Sequence, residues 1–218
     1  MKEYKLPIGC DVPETIILAD GDFPSHPLAL EWLRQCPYVV CCDGAANTYI
    51  RSGRMPEAIV GDGDSLLPDI KERYASLIHS EAEQETNDLS KAFRFCLSQE
   101  RRRITIMGAT GKREDHTIGN VSLLADYMEQ AEVSMMTDYG IFVPIREDSM
   151  FESYIGQQIS VFNMNSTALS AEGLAYPLSV FTNWWQGTLN EALARHFIIR
   201  TEGKVLVFRL SLIHISEP

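Results

Sequence analysis

Two aspartates separated by one glycine follow a short apolar run in the segment AIVGDGDS, residues 58–65. Alternate residues of an extended chain point to the same side, so Asp62 and Asp64 are expected to direct both carboxylates at one point. Like charges held this close are costly unless a cation lies between them, and carboxylate oxygens suit Mg²⁺. A solvated acidic turn is the simpler alternative. The position at the end of an apolar strand favours the metal site.

A second acidic position occurs in ETNDLSKAF, residues 85–93. Asn87 or Thr86 can cap a helix here, and Asp88 then lies in the first turn, where the helix dipole favours a negative charge. Lys91 follows on the same helix surface. The two residues are therefore either an ordinary helix ion pair, or a metal ligand beside a phosphate-binding cation. This segment alone does not decide between the two.

A glycine-rich segment, GATGKREDHTIGN at residues 108–120, follows the apolar run RITIM. The backbone N–H groups of such a turn between a strand and a helix can bind phosphate, here around Gly108, Thr110 and Gly111. Lys112 and Arg113 add positive charge, and because Arg rather than Ser or Thr follows the lysine, this is not a Walker loop. A plain turn is the alternative. Asp115, His116 and Asn120 add polar groups nearby; a lone histidine before a helix is more often a cap or a surface residue than a general base.

Two further segments combine a polar or aromatic group with a loop. In CCDGAANTYIRSG, residues 41–53, Asp43 ends an apolar run and Gly44 allows close approach of a ligand, although a helix cap would also explain the aspartate. In FTNWWQGTLNEA, residues 181–192, neighbouring side chains of a strand face opposite ways, so Trp184 or Trp185 should be exposed. An exposed tryptophan could stack on a flat heterocycle or lie in a partner interface.

Short apolar runs that end in Asp or Gly alternate with helical patterns in the first two-thirds of the chain. Such an alternation indicates βαβ units and a parallel sheet, whose ligands bind at the carboxyl ends of the strands. One helix is predicted over 88–99, with Leu89, Ala92, Phe93, Cys96 and Leu97 on one face, and another over 117–130, with Ile118, Val121, Ala125 and Met128 on one stripe. The predicted strands are TIILAD (15–20), YVVCCD (38–43), AIVGD (58–62), RITIMG (103–108) and EVSMMTD (132–138).

After about residue 145 the pattern changes to short alternating runs broken by Gly, Pro and Asn, which is typical of an antiparallel sandwich. The fold class is therefore an α/β domain with a mostly parallel, doubly wound sheet, followed by a smaller antiparallel β-sandwich. The predicted domains are 1–146, which carries the candidate metal and phosphate sites, and 147–218. Residues 211–218, SLIHISEP, either extend the last strand or do not pack, and no function is assigned to them.

Composition narrows the possible partners. The 218 residues carry a formal net charge of -11, which argues against nucleic acid and anionic membranes as partners. An anionic substrate would need local cations or a divalent metal. There are five cysteines without a CxxC pair, and neither a signal peptide nor a membrane span is expected, so a cytoplasmic location is predicted.

Six segments together resemble the thiamin pyrophosphokinase family, whose members make thiamin diphosphate from thiamin and ATP. The resemblance implies the fold described above, assembly as a homodimer, and a thiamin site between the subunits formed in part by residues 147–218. The segments occur in the family's order over roughly residues 38–205: CCDGAANTYIRSG, PEAIVGDGDS, ETNDLSKAF, GATGKREDHTIGN, EGLAYPL and GTLNEA.

The resemblance also implies roles for individual residues. Asp43, Asp62, Asp64 and Asp88 would surround Mg²⁺ and the triphosphate, with the last three and Lys91 as the catalytic residues. The implied nucleotide-binding residues are Asp43, Gly44, Gly108, Thr110, Gly111, Lys112, Arg113, Asp115 and Asn120, and the implied thiamin-side residues are Gln84, Asn87, Trp184, Trp185, Thr188, Asn190 and Glu191.

The sequence departs from the family pattern at three places. Gly63 stands where the family has a hydrophobic residue between the aspartates, the Ser of a Ser-Asn-Glu-like stretch is replaced near Thr188, and SLIHISEP has no counterpart. The predicted reaction is transfer of pyrophosphate from ATP to the thiamin hydroxyl, which releases AMP, with Asp88 or Asp64 orienting or deprotonating that hydroxyl. The alternatives are transfer to another hydroxymethyl heterocycle such as a pterin, a nucleotide or thiamin sensor without activity, and a phosphohydrolase.

Overall fold

The computed structural model describes residues 1–7, 11–80 and 85–210. The chain divides into two units at Tyr139, and the amino-terminal segment belongs with the second of them. We call residues 11–138 the α/β unit, and residues 1–7 with 139–210 the sandwich unit. The division differs from the predicted boundary at 146/147 because the strand at 140–145 pairs with the strand at 205–210, within the sandwich unit.

Five α-helices and fourteen strands lie within the described residues. The helices are α1 Pro27–Gln35, α2 Ala45–Arg51, α3 Pro68–Arg73, α4 Asp88–Ser98 and α5 Glu114–Tyr127. The strands are β1 Lys2–Tyr4, β2 Ile16–Leu18, β3 Val39–Cys42, β4 Ala58–Gly61, β5 Ile78–Ser80, β6 Arg103–Met107, β7 Glu132–Met136, β8 Gly140–Ile145, β9 Ser149–Glu152, β10 Gln158–Asn163, β11 Leu169–Glu172, β12 Asn190–Glu191, β13 His196–Thr201 and β14 Val205–Leu210.

The α/β unit contains a parallel sheet in the order β5-β4-β3-β2-β6-β7. All residues of β2, β3 and β4 are buried, because the sheet is covered on both faces and its central strands must be apolar throughout. The strand order reverses between β2 and β6, which makes the carboxyl ends of these two strands the topological switch point. The predicted doubly wound α/β fold is confirmed.

Helix α4 matches its predicted boundaries closely, and α5 does not. Leu89, Ala92, Phe93 and Cys96 on α4 are buried, as the spacing predicts. Helix α5 begins at Glu114, three residues before the predicted 117. The negative charges of the acidic residues in its first turn interact favourably with the positive end of the helix dipole. Its buried residues are Leu124 and Tyr127, whereas Ile118 is 58% exposed, so the predicted apolar stripe is wrong. The stacked rings of Phe93 and Tyr127 join the two helices at a centroid distance of 3.9 Å.

Glycine 119, in the middle of α5, offers a simple test of this helix. A Cβ added there would meet no heavy atom within 4 Å. Because glycine costs a helix interior about 0.5–1 kcal/mol relative to alanine, Gly119→Ala should raise the free energy of unfolding by that amount. Urea unfolding monitored by circular dichroism would measure it, and a decrease in stability would show that this face of α5 is not open.

The sandwich unit contains two sheets. One is antiparallel, in the order β12-β10-β14-β8, and the other has the order β1-β9-β13-β11, in which only the β1–β9 pair is parallel. Its core includes Phe151 and Phe197, whose rings stack at 5.0 Å. The predicted antiparallel sandwich is confirmed.

Arg209 is a buried cation in this unit. Its guanidinium lies 5.1 Å from the Phe151 ring centroid and donates to the backbone oxygens of Glu152 and Lys5, each at 2.9 Å. Burial lowers its pKa to about 10. These bonds connect β14 with β9 and with the amino-terminal segment.

Within the described part of the chain, every helix is too short or too polar to cross a bilayer.

Candidate active site

A cleft of about 340 Å³ opens at the switch point of the parallel sheet. It lies beyond the carboxyl ends of β2, β3 and β6 and beside the first turns of α4 and α5. Its acidic side chains are Asp20, Asp43 and Asp88, its basic side chains are Lys112, Arg113 and His116, and its amides are Asn87 and Asn120. Strands of a parallel sheet end at one edge, which is why segments far apart in sequence meet here.

Asp43 follows β3 and is the most buried acid of the cleft, with 4% of its surface exposed. Its φ of 33° lies in the left-handed region, a strained conformation that Asp and Asn tolerate better than most residues. The side chain does not cap α2, whose cap position is Gly44. Instead, Oδ2 accepts a hydrogen bond of 3.0 Å from the backbone N–H of Ser65.

The second carboxylate oxygen of Asp43 is unusual. Oδ1 is buried, and among the described residues it has no hydrogen-bond partner. Burial raises the pKa of Asp43, the hydrogen bond from Ser65 opposes the rise, and the nearby charges of Asp88 and Asp62 add to it. A buried carboxylate oxygen without a donor, close to two other carboxylates, is an arrangement that a hard cation would complete.

Asp62 and Asp64 differ from the sequence-based expectation. Both side chains are exposed, and neither is among the residues that line the cleft. Gly63 has a φ of 78°, so the chain turns between the aspartates rather than remaining extended, and Asp62 Oδ1 accepts a hydrogen bond of 3.0 Å from the Asp64 N–H. The argument that alternate residues point to one side therefore does not apply. In the described portion of the chain, no group of three or more His, Cys, Asp or Glu side chains is arranged to ligate a metal.

Asp88 and Lys91 form an ion pair at the start of α4. Lys91 Nζ lies 3.0 Å from Asp88 Oδ1, and the lysine side chain is 5% exposed while the aspartate side chain is 35% exposed. Asp88 thus lines the cleft, and the buried ammonium lies directly behind it. The expected helix ion pair is present, and its acidic member lies at the cleft.

A chain of amide groups connects α4 with α5 and the loop between β6 and α5. Asn87 caps α4 by accepting a hydrogen bond of 2.9 Å from the Ser90 N–H. Its Nδ2 donates to Asn120 Oδ1 at 3.2 Å, and Asn120 Nδ2 donates to the Ala109 oxygen at 2.9 Å. Both amides line the cleft, where they also hold the three elements together.

The loop at residues 108–113 has left-handed backbone at Gly108, Gly111 and Lys112, with φ of 64°, 79° and 56°. Gly111 and Lys112 line the cleft, but Gly108, Thr110 and Asp115 do not. The oxygens of Gly108 and Thr110 accept hydrogen bonds from the neighbouring loop at residues 20–22. Arg113 forms an exposed ion pair of 2.5 Å with Asp115, and that hydrogen bond lowers the pKa of the Asp115 carboxyl.

Among the cleft residues that the sequence analysis missed are Asp20 and Gly21, which follow β2. The signal was present, because TIILADGD has the same apolar run followed by Asp-Gly-Asp that drew attention to residues 58–64. Gly44 was expected to contact the ligand directly. It packs instead against Asp20, since a Cβ on Gly44 would lie 2.6 Å from Asp20 Oδ2.

The predicted residues of the sandwich unit lie around a short 3₁₀ turn at Trp184–Gly187. Trp185 is 73% exposed and Trp184 is 43% exposed, with its ring edge against Phe162 at 5.9 Å. Thr188 donates to the Trp185 oxygen at 2.7 Å. Asn190 is buried, and its amide binds both backbone groups of Tyr176, which gives it a structural role. Glu191 is exposed, and Gln84 lies outside the described residues.

The doubly wound sheet with an acidic cleft at its switch point, followed by an antiparallel sandwich, defines a two-unit protein of the α/β class. Comparison with known families identifies which one. Residues 29–136 match "Thiamin pyrophosphokinase, catalytic domain", and residues 140–208 match "Thiamin pyrophosphokinase, substrate-binding domain". The chain belongs to the thiamin pyrophosphokinase family.

Individual relatives agree with this assignment. The chain is 30% identical over 129 residues to thiamine pyrophosphokinase 1 of Oryza sativa subsp. japonica, covering 48% of this chain and 49% of the relative. Its alignments thus span about half the length of the curated relatives it matches. Thiamin pyrophosphokinase from Candida albicans superposes with a TM-score of 0.76 and 17% identity, covering 96% of this chain and 92% of that one. The Bacillus subtilis enzyme gives 0.76 and 20% identity, covering 91% and 99%.

Proposed function

We propose that the protein transfers pyrophosphate from ATP to the primary hydroxyl of thiamin, giving thiamin diphosphate and AMP. The observation that carries the proposal is the acidic cleft with the unsatisfied Asp43 oxygen, in a chain that matches both family domains. In the reaction the hydroxyl oxygen bonds to the β-phosphorus of ATP, the bond from that phosphorus to the α-phosphate oxygen breaks, and the hydroxyl loses its proton.

We infer that a divalent cation, Mg²⁺, is the natural complement of this cleft. Asp43 and Asp88, which line the cleft, would hold it, and Asp62 and Asp64 would approach it from outside the cleft lining. The charge of Asp62 contributes to the raised pKa of Asp43. All four offer the hard oxygen donors that Mg²⁺ prefers. When bound, the cation would neutralise polyphosphate charge and polarise the phosphoryl group.

The residues of the chain supply positioning and charge. Lys112 and Arg113 lie at the cleft and would stabilise negative charge on the transferred group and on AMP. Lys91 forms an ion pair with Asp88 and places a positive charge beside that carboxylate. We assign the proton of the thiamin hydroxyl to Asp88, which is partly exposed at the cleft. In the sandwich unit, the exposed ring of Trp185 is the platform that we propose for the thiamin rings.

We further propose that the protein is a cytoplasmic homodimer. Within residues 176–193 of the sandwich unit, six large hydrophobic side chains are exposed: Tyr176, Val180, Trp184, Trp185, Leu189 and Leu193. Exposed apolar side chains this dense in one segment suit contact with a second copy of the chain, with thiamin held between the two. The thiols of Cys41, Cys42 and Cys96 are free and buried, as expected in a reducing compartment. Light scattering would give the oligomeric state.

The decisive test is incubation with ATP, Mg²⁺ and thiamin, followed by quantification of the products. The proposal requires AMP and thiamin diphosphate in equal amounts, with no AMP when thiamin or Mg²⁺ is omitted. A hydroxymethylpterin serves as the competing acceptor. Release of inorganic phosphate regardless of the acceptor, or preferential modification of the pterin, would contradict the proposal.

Asp62→Asn and Asp64→Asn are each expected to reduce kcat at least about a hundredfold, the scale of losing a preorganised electrostatic group. The fold should persist, because an asparagine oxygen at position 62 can still accept the hydrogen bond from residue 64. The exposed Asp126 on α5 provides the matched control, Asp126→Asn, which should retain normal turnover. Near-normal kcat in both test variants would remove this pair from the proposed metal site.

A further inference from the structure

Asp20 follows β2 at the switch point of the parallel sheet. It lines the same cleft as Asp43 and Asp88, and it faces Lys112 across that cleft. Lys112 Nζ donates to the Asp20 backbone oxygen at 2.9 Å and to its Oδ1 at 3.1 Å. One residue thus provides both acceptors for the ammonium, which fixes its direction more narrowly than a single ion pair would.

The backbone around Asp20 holds this contact in place. The Gly21 N–H donates to the Gly108 oxygen at 2.6 Å, and the Asp22 N–H donates to the Thr110 oxygen at 2.9 Å. A Cβ on Gly21 would lie 2.4 Å from both of those oxygens, so the two loops approach as closely as glycine allows. The loop that carries Lys112 is therefore attached to the loop that carries Asp20.

Lys112 itself is in an uncommon conformation. Its φ of 56° is left-handed, which is unfavourable for a residue with a long side chain and persists only where the surroundings hold it. The hydrogen bonds between the two loops and the contact with Asp20 are the interactions that hold it. The Lys112 side chain lines the cleft and is 54% exposed, so its ammonium is accessible to a ligand there.

We propose that Asp20 is a positioning residue, which holds the Lys112 ammonium where the polyphosphate of the nucleotide enters the cleft. This inference rests on the proposed function, and it assigns Asp20 a part in nucleotide recognition through Lys112 rather than through contact with the phosphates. A carboxylate beside a polyanion also repels it, so the positioning of Lys112 by Asp20 and the repulsion of the phosphates by Asp20 oppose each other. Removing Asp20 distinguishes them, because lost positioning weakens nucleotide use and relieved repulsion strengthens it.

A double-mutant cycle tests the inference. Asp20→Ala should lower kcat/KM for ATP about tenfold, and Lys112→Met should lower it by a larger factor. In the Lys112→Met background, Asp20→Ala should change kcat/KM less than about twofold, because there is no ammonium left to position. Asp20→Asn keeps an oxygen acceptor and should recover most of the loss. KM for thiamin should be unchanged in all these variants.

The control is Asp22→Asn, which removes the same charge two residues away in the same loop, where the carboxylate packs against Gly111 rather than Lys112. It should leave kcat/KM for ATP within about twofold. Calorimetry with inorganic tripolyphosphate, at fixed Mg²⁺, gives a readout that does not need thiamin. Equal losses from Asp20→Ala in both backgrounds, or a gain of affinity in Asp20→Ala and Asp20→Asn, would overturn the inference. An absence of ATP- and thiamin-dependent turnover in the unmutated protein would refute the proposed function instead, and tripolyphosphate binding would still test Asp20.

Discussion

Replacing Asp43 with asparagine is expected to make the folded protein more stable at neutral pH and at least about a hundredfold less active. The two effects have one cause. The carboxylate is nearly fully buried, one oxygen has no hydrogen-bond partner among the described residues, and other carboxylates lie close by. A charge held under these conditions destabilises the fold, and such an arrangement is retained where a bound cation needs it.

The expected gain in stability is about 1 kcal/mol. Asparagine tolerates the left-handed backbone of position 43 and can still accept the hydrogen bond from Ser65. Its amide group would then take the place of the unsatisfied oxygen and face the carboxylates of Asp62 and Asp88 as a donor. The loss of activity follows because the proposed cation site loses its most buried ligand.

The pH dependence of this gain follows from the direction of the pKa shift. Burial raises the pKa of Asp43 in the folded protein, so folding favours the protonated form. The destabilisation is absent below the ordinary pKa of aspartate, about 3.9, and is complete above the raised value. The difference in unfolding free energy between Asp43→Asn and the unmutated protein should therefore be largest at neutral pH and shrink toward pH 4.

Urea unfolding at several pH values without divalent metal would measure this difference, and an activity assay would measure kcat. Asp126→Asn removes an exposed carboxylate from the same unit and is expected to change neither quantity appreciably. Added Mg²⁺ should stabilise the unmutated protein more than Asp43→Asn, because it binds the folded state. A variant that is both destabilised at neutral pH and fully active would contradict the assignment.

Gly187→Ala should have the largest effect on stability in the sandwich unit. A Cβ at this position would lie 1.8 Å from the Val161 oxygen and 2.9 Å from its carbonyl carbon. These are backbone atoms of β10, so the clash cannot be relieved by a change of side-chain rotamer. Relief requires the turn at Trp184–Gly187 to move away from the strand, at a cost of about 3 kcal/mol or more.

The displacement should also affect the proposed ligand site, because Trp184 and Trp185 belong to the same turn. KM for thiamin should rise, whereas binding of ATP to the α/β unit should change little. The same substitution at Gly119, where the space is open, is the matched control and should be stabilising. Thermal unfolding and steady-state kinetics of both variants would measure these effects. A Gly187→Ala protein with unchanged stability would show that the turn can move freely.

Buried strands were the most predictable part of the fold. The runs that became β2, β3 and β4 are apolar throughout, because covering both faces of a parallel sheet leaves no position for polar residues. Strands β6 and β7 each begin with an exposed charged residue and are mostly buried after it. Strand β5 escaped prediction, since IHS is short and its residues are half-buried or exposed at the sheet edge. The start of α5 was placed too late because its first turn is polar and carries no apolar signal.

Part of the cleft lining was predictable from sequence, but the arrangement of the side chains was not. The sequence predicts Asp43 at the end of a strand and Asp88 at the start of a helix, and both residues line the cleft. The directions of Asp62 and Asp64 depend on the φ of Gly63, which sequence does not determine. The link from Asn87 to Asn120, and the contact of Asp20 with Lys112, join segments far apart in the chain, so no local pattern reveals them.

The pairing of β1 with β9 has a consequence for biosynthesis. Residues 2–4 are synthesised before the α/β unit, and their partners at 149–151 are synthesised only after it. The α/β unit can therefore fold co-translationally. The amino-terminal strand can pair only after residues far along the chain have been made, so the sandwich unit is completed last. A separately expressed fragment that starts at residue 139 would lack this strand and leave one edge of β9 unprotected.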